Sequence, residues 1–221
     1  MVDLETGSIK IDNFIVSAFV TADTPYELVL STQLLPSLDK IGLKYHIEVV
    51  ENKGSWIKNV AQKPLTILHV MEEYASYNIV SLDADCEVCS FPKLFREIPE
   101  EYDLALHTLD WDSWYNYTNH VKEVLSGTMW IRNNDKMKAF VKEWYVRAET
   151  AGIWEQKILS QLLEERKDDI KVFNLPIEYC YINLLPDGSL PHVKIDNPII
   201  IHYQASRKYK RTMNDKRKLN I

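Results

Sequence analysis

Short β-branched apolar runs alternate with stretches of helical periodicity, and that alternation limits the possible folds more than any other feature of the chain. "NFIVSAFV" (13–20), "YHIEVV" (45–50) and "NIVSL" (78–82) read as strands. Between the first two, Thr24-Pro25 places an N-cap before a proline in the first turn of a helix predicted over 25–38. "KPLTILHVMEEY" (63–74) carries Leu65, Leu68 and Val70-Met71 on one helical side. "DLALH" (103–107) and "GTMWIRN" (127–133) supply a fourth and a fifth strand. Met137, Phe140, Val141, Trp144, Tyr145 and Ala148 then recur at the spacing of an amphipathic helix. A second helix over 154–166 turns Ile158, Leu159, Leu162 and Leu163 inward, and "IKVFNLP" (170–176) and "PIIIHY" (198–203) are late strands. Turn-rich "LLPDGSLPHVKIDNP" separates those two and belongs on the surface. The pattern predicts a three-layer α/β domain with a largely parallel sheet, in which ligands bind at the carboxyl ends of strands.

The chain has 221 residues and no internal repeat, enough for one large domain or two small ones with a substantial core. The apolar runs are too short to cross a bilayer, and "MVDLETGSIKID" lacks the layout of a signal peptide, so the expectation is a soluble, cytoplasmic protein without membrane insertion. An odd count of cysteines, Cys86, Cys89 and Cys180, does not suit a disulfide framework. Cys86 and Cys89 form a C-x-x-C, but no second pair completes a zinc site, and packing is the favoured reading. Residues 207–218 carry a local charge of +6 in a chain of −6, so the rest carries −12. We therefore divide the chain into a domain over 1–206 and a basic tail over 207–221. Such a tail suits either a phosphate-bearing or polyanionic partner, or plain solvation.

The third strand runs directly into Asp83-Ala84-Asp85. Two like charges at the mouth of a buried strand resist desolvation and call for compensation, for which a divalent cation is the obvious candidate. The pattern alone carries little information: with 15 Asp in the chain, chance yields about one Asp-x-Asp, and Asp110-Trp111-Asp112 is a second instance. Asp and Asn also favour turns after strands. His202 adds weight, because it follows "PIII" as Asp83 follows "NIVSL". Carboxylates with one imidazole suit Mn²⁺, or Mg²⁺ less readily. Ser206, Arg207, Lys208 and Lys210 come directly behind, and a metal beside such cations is equipped to hold a diphosphate. The chain contains no Gly-x-Gly-x-x-Gly and no P-loop.

Taken together, these elements resemble the nucleotide-diphospho-sugar glycosyltransferases of GT-A (Rossmann-like) fold, over nearly the whole chain. "FVTADTPYELVLSTQLLPSL" is similar to the first β-α unit of the glycogenin and lipopolysaccharide galactosyltransferase group. "GSWIKNVAQKPLTIL" resembles the W-x-x-N-x-x-x-K-P element of small phage and bacterial transferases. "IVSLDADCEVCSFPKLF" resembles the metal motif, "LSGTMWIRN" the strand lining the donor sugar, and "WEQKIL" the family's acidic-Gln helix start. "IIIHYQASRKYK" resembles the C-terminal His-x-x-Gly-x-x-Lys, with Ala205 in place of the glycine and no Pro-Trp after Lys208. The resemblance implies a three-layer α/β/α fold with a mostly parallel mixed sheet and a Mn²⁺ or Mg²⁺ ion on Asp83, Asp85 and His202. It implies donor binding by Thr21, Ala22, Asp23, Tyr26, Asn59, Lys63, Ser126, Gly127, Thr128, Ser206, Arg207 and Lys208.

The same resemblance implies a transferase that moves a sugar from a nucleotide-diphosphate sugar, a UDP-sugar by preference, to a hydroxyl. Glu155 and Gln156 would stand around the reacting sugar, with retention of anomeric configuration. Glu155 has a plainer reading too, as an acidic residue favouring the helix dipole. The acceptor stays open between a hydroxymethylated base of phage DNA, which the basic tail would suit, and a polysaccharide or protein. His107, Trp111, Trp114, Tyr115, Tyr117 and His120 form an aromatic-rich segment suited either to an acceptor site or to packing. Two rival classes stay in view: a metal-dependent nucleotidyltransferase or phosphohydrolase, and a non-catalytic nucleotide-sugar-binding module.

Overall fold

The structure, a computed structural model, describes residues 13–185, 188–207 and 209. In chain order its first elements are β1 (Phe14–Thr21), α1 (Tyr26–Val29), a π-helical stretch Leu30–Leu34, α2 (Leu35–Ile41) and β2 (Tyr45–Val50). There follow α3 (Trp56–Val60), α4 (Lys63–Glu73), β3 (Asn78–Leu82), β4 (Cys86–Val88), β5 (Leu104–Asp110) and α5 (Trp111–Tyr115). The last are β6 (Lys122–Ile131), α6 (Asp135–Thr150), α7 (Glu155–Glu165), β7 (Val172–Asn174), β8 (Tyr181–Ile182) and β9 (Ile200–His202). Six strands form one mixed sheet in the order β2-β1-β3-β6-β5-β7, and β4-β9-β8 form a small second sheet. In the large sheet β1 pairs in parallel with β2 and β3, as β5 does with β7, while β6 runs antiparallel to both of its neighbours.

The apolar runs explain this arrangement. β1 is buried at every position but Phe19, as expected of a strand covered on both faces. Its side chains alternate between two cores. Phe14, Val16, Ala18 and Val20 pack with Leu30, Leu34 and Leu38 on one face, where Cys86, Val88 and Ile200 of the small sheet join them. Ile15 points the other way, into Ile67, Val70 and Met71 of α4 and Phe140 and Trp144 of α6. The result is the three-layer α/β/α sandwich expected from the alternation of elements. Among the described residues no helix is long and apolar enough to cross a membrane.

Boundaries differ from the sequence reading where local chemistry differs. The first helix is entered through Pro25 rather than capped by Thr24, whose hydroxyl donates to the Thr21 carbonyl (2.6 Å) and accepts only a long bond from Tyr26 N (3.4 Å). It runs to Ile41, because Gly42 is the residue that adopts the left-handed conformation (φ 75°) ending it. β6 starts at Lys122 instead of 127. A bulge between Leu106 and Thr108 lets the β5–β6 hairpin continue through Thr108↔Val124, Leu109↔Glu123 and Asp110↔Lys122, a stretch with no apolar alternation to announce it. β7 and β9 keep only three residues each of the strands predicted around them, while β4, β8, α3 and α5 had no periodicity long enough to be read. The turn-rich segment after β8 is free of regular structure in its described residues, as expected.

Candidate active site

β3 ends at Leu82, and within three residues the chain re-enters a strand at Cys86. In the antiparallel β4–β9 ladder Cys86 lies opposite His202, so strand register carries the imidazole to the acidic pair across 116 positions of sequence. Tyr203 N donates to the Asp85 carbonyl (3.0 Å) and Ala205 N to Asp85 Oδ2 (2.7 Å). Asp85 is buried, and desolvation, reinforced by the charge of Asp83, raises its carboxyl to about 6. His202 is 2% exposed, and burial lowers it to about 4, which leaves a neutral imidazole. Its Nε2 lies 2.8 Å from Thr128 Oγ1 and 3.6 Å from Cys180 Sγ, and its Nδ1 lies 3.3 Å from Cys86 Sγ.

Gly127 makes this proximity possible. A Cβ there would stand 2.6 Å from His202 Cε1 and 3.1 Å from Asp83 Oδ2, so any side chain would wedge the two groups apart. On the other side of Asp83 sits Lys63, at the start of α4 and 5% exposed. Its Nζ bonds Asp83 Oδ1 (2.7 Å), Glu155 Oε1 (3.1 Å) and the Ser126 carbonyl and hydroxyl (3.2 and 3.3 Å). Burial pulls the lysine down, but Asp83 and Glu155 together outweigh it and hold the ammonium above its ordinary range. Glu155 opens α7, where the Trp144 indole donates to its carbonyl (2.8 Å) and Ser126 Oγ donates to its carboxylate (3.1 Å). Gln156 Oε1 accepts from Ser126 N (3.0 Å), and its amide donates to Glu123 Oε1 (2.7 Å). A buried ammonium with two carboxylates and two Ser126 oxygens is a satisfied, preorganised cluster.

Asp85, Cys86 and His202 bring potential ligand atoms within 4.8 Å of one another. Asp83 is not in that group: Oδ1 is on Lys63, while Oδ2 faces the Gly127 gap beside the imidazole. Neutral imidazole, a buried carboxylate strained by its neighbour's charge and a glycine cradle fit a divalent cation. Cys86 is the ligand-type residue the sequence reading assigned to packing. It directly follows the acidic pair, and strand alternation turns it toward His202. Burial holds its thiol well above the usual range. Cys89, by contrast, is exposed, so the C-x-x-C is split between a buried and an exposed thiol.

Asp83, Asp85, His202, Lys63 and Ser126 line one cleft of about 450 Å³, within the range of small-molecule sites. Of the residues expected to meet the donor, Thr21, Tyr26, Asn59, Lys63, Ser126, Gly127, Ser206 and Arg207 line it, as do Glu155 and Gln156. Asn59 also holds the loop after β2, accepting from Lys53 N (2.8 Å). Thr128 stands behind the lining as the partner of His202. Ala22 and Asp23 are outside the lining, and the Asp23 amide is turned to Glu27. Lys208 and residues 210–221 of the basic tail lie outside the described residues. Sequence reasoning missed Trp56, Glu123 and Trp154 as wall residues; the rings of Trp56 and Trp154 meet edge to face at 5.9 Å in the cleft wall.

A three-layer α/β domain with acidic residues at a strand end, beside an imidazole and an enclosed cleft, has the form of a GT-A-like glycosyltransferase. A family model described as nucleotide-diphospho-sugar transferase matches residues 15–218, and the chain belongs to that family. The fold is shared with a glycosyltransferase involved in the glycosylation of the major capsid of PBCV-1 (TM-score 0.64, 12% identity, covering 91% of this chain and 99% of that one). It is also shared with GlyE of Streptococcus pneumoniae TIGR4 (TM-score 0.56, 16% identity, 87% and 55%) and with the bifunctional glycosyltransferase WbbM (0.54, 12%, 89% and 47%). The chain thus spans about half the length of the latter two. No curated protein matches it significantly. The protein is a glycosyltransferase that uses a nucleotide-sugar donor.

Proposed function

We propose that the protein is metal-dependent, with Asp83, Asp85 and His202 holding Mn²⁺ or Mg²⁺, and that it transfers a sugar from a nucleoside diphosphate, UDP by preference, to an acceptor hydroxyl. The observation that carries this reading is the meeting of Asp85 and His202 across the β4–β9 ladder, with Asp83 beside them at the Gly127 gap. A bound cation would supply charge stabilisation to the departing diphosphate. The rest falls to side chains of the chain itself. Lys63 fixes the carboxylates of Asp83 and Glu155, and Ser126 fixes Gln156, so the hydrogen-bonding edge offered to the donor sugar is rigid before the donor arrives. Ser206 and Arg207, with Lys208 beyond them in sequence, are the proposed clamp on the diphosphate.

Retention of configuration is the proposed stereochemical outcome. That outcome rests on the resemblance of the Glu155-Gln156 start of α7 to the corresponding element of retaining enzymes, and both residues line the cleft beside Ser126. The test of the whole reading is incubation with Mn²⁺ or Mg²⁺ and a panel of UDP- and GDP-sugars, with or without chelator, assaying the free nucleoside diphosphate. Release with one donor, abolished by chelation, is expected. Ligand binding without release from any donor would reject the reading in favour of a binding module, and release of nucleoside monophosphate would favour phosphohydrolase chemistry.

A further inference from the structure

The β5–β6 hairpin outruns the sheet. Beyond the bulge at Leu106/Thr108 it carries Asp110 and Lys122 at its end, and α5 folds there so that Trp111, Tyr115 and Tyr117 line the same cleft as Lys63 and Asp83. The three rings form a closed triangle: Trp111–Tyr115 5.7 Å, Trp111–Tyr117 6.1 Å and Tyr115–Tyr117 5.5 Å between centroids, the last pair inclined by only 32°. Each of the first two is held by a polar tip. Trp111 Nε1 donates to Glu123 Oε2 (2.8 Å), and the Tyr115 hydroxyl meets the Arg207 guanidinium. Tyr117 is 47% exposed. Trp111 and Tyr115 pack on one side against the core that Trp114 fills with Leu109 and Leu125, and with Tyr117 they also line the cleft.

Resting on the transferase reading above, we propose that Trp111, Tyr115 and Tyr117 are the platform on which a saccharide acceptor lies. Strand order supports the assignment. Thr21 ends β1, Asp83 follows β3, Ser126 is on β6 and Trp111 follows β5, and these are successive strands of the sheet. β6 lies between β3 and β5, and the platform, rooted further along the β5–β6 hairpin, lines the same cleft as the acidic pair. A pyranose presents an apolar C–H face and an edge of hydroxyls. The rings match the first. Glu123, each of whose oxygens accepts one protein donor and keeps a second lone pair, matches the other. In transfer the acceptor oxygen bonds the anomeric carbon, the electron pair of the broken bond leaves with the nucleoside diphosphate, and the hydroxyl proton passes to that leaving oxygen.

Bases also stack on aromatic rings, but a nucleic acid needs its phosphates held. Among the described residues the hairpin tip offers Asp110, Asp112 and Glu123 against Lys122 and Arg207, and Arg207 already donates to the Leu184 carbonyl. That balance favours a neutral, hydroxyl-rich ligand.

The test is binding of maltotriose, cellotriose and lactose to the full-length protein, read by saturation-transfer NMR and tryptophan fluorescence, with a hydroxymethylcytosine-containing DNA duplex in parallel. The expected result is saccharide binding that weakens about tenfold in Tyr117→Ala and Trp111→Ala, the loss of one stacking ring, with substantial recovery in Trp111→Phe. Tyr117 is exposed, so its replacement keeps the test valid should Trp111→Ala fail to fold. The proposal is overturned if none of the saccharides binds, if binding ignores both rings, or if only the DNA binds. Donor hydrolysis by the wild-type protein is scored separately. Saccharide bound on the platform without donor turnover supports the platform and rejects the transferase reading, and turnover without saccharide binding does the reverse.

Discussion

Asp83-Ala84-Asp85 and Asp110-Trp111-Asp112 have the same spacing, and each stands at the carboxyl end of a strand of the same sheet. What surrounds them differs. The first pair meets a buried ammonium, a buried imidazole and the Ala205 amide, all from distant parts of the chain. The second is occupied locally: Asp110 accepts from the Asp112 amide (3.0 Å) as the cap of α5, and Asp112 accepts from Asn119 N (3.1 Å) and His120 N (3.0 Å) and pairs with His120 Nδ1 (2.6 Å). The second pair has local partners and makes a turn, whereas the first draws its partners from β9 and α4 and lines the cleft.

The widest separation between the pairs should appear in catalysis. Asp83→Ala should lower metal-dependent donor hydrolysis by about 10²–10³-fold, the scale for losing one preorganised electrostatic contact. Asp110→Ala should change it by less than about twofold. Equal loss in the two variants, measured as kcat at saturating donor, would remove the distinction between them.

A smaller contrast should appear in stability against pH in chelator-treated protein. Asp85 binds its proton more tightly folded than unfolded, since its carboxyl is raised to about 6 by burial and by Asp83. The folded state therefore holds the extra proton between the ordinary carboxyl range and about 6, and stability falls as pH rises through that window. Asp85→Asn keeps an acceptor for Ala205 N without the charge, so it should stabilise the metal-free protein above the window by on the order of 3 kcal/mol, with no gain at pH 4. Thermal melts of both proteins at pH 4 and 7.5 measure the difference. A variant less stable than wild type at both values would mean that the Asp85 charge is already compensated without metal.

The smallest effect should come from Asp112→Ala. It removes the acceptor for two loop amides and should cost about 1–2 kcal/mol, the size of a lost cap. A melting shift confined to that range, with increased proteolysis at 116–121, is expected. No shift would show that the loop holds itself.

Much of the architecture was legible because it rests on local periodicity. The β2 and β3 bounds emerged as read, and α4, α6 and α7 differ from their patterns by a residue or two, since long apolar stripes leave little choice of face. The short pieces were not legible. Cys86–Val88 is three residues long and Tyr181–Ile182 two, below any period, yet they make the sheet that carries His202. Of the residues expected to meet the donor, Thr21, Tyr26 and Lys63 line the cleft, whereas Asp23 is outside the lining and its amide donates to the Glu27 carboxylate. Lys63, expected to meet the donor, lines the cleft and also joins Asp83 to Glu155, a grouping of three residues that no linear spacing encodes.

The sequence by itself determined the layers, the strand that ends in two carboxylates and the membership of a glycosyltransferase family, because these follow from apolar period and from motif order along the chain. Only the tertiary structure decided which Asp-x-Asp lines the cleft, that Cys86 and Cys180 lie against His202, and that Trp111, Tyr115 and Tyr117 close into one triangle. Those outcomes depend on distances between segments far apart in the chain, and such distances are set by strand register, by a glycine that leaves 2.6 Å where a methyl would have to fit, and by burial that turns weak polar contacts into strong ones.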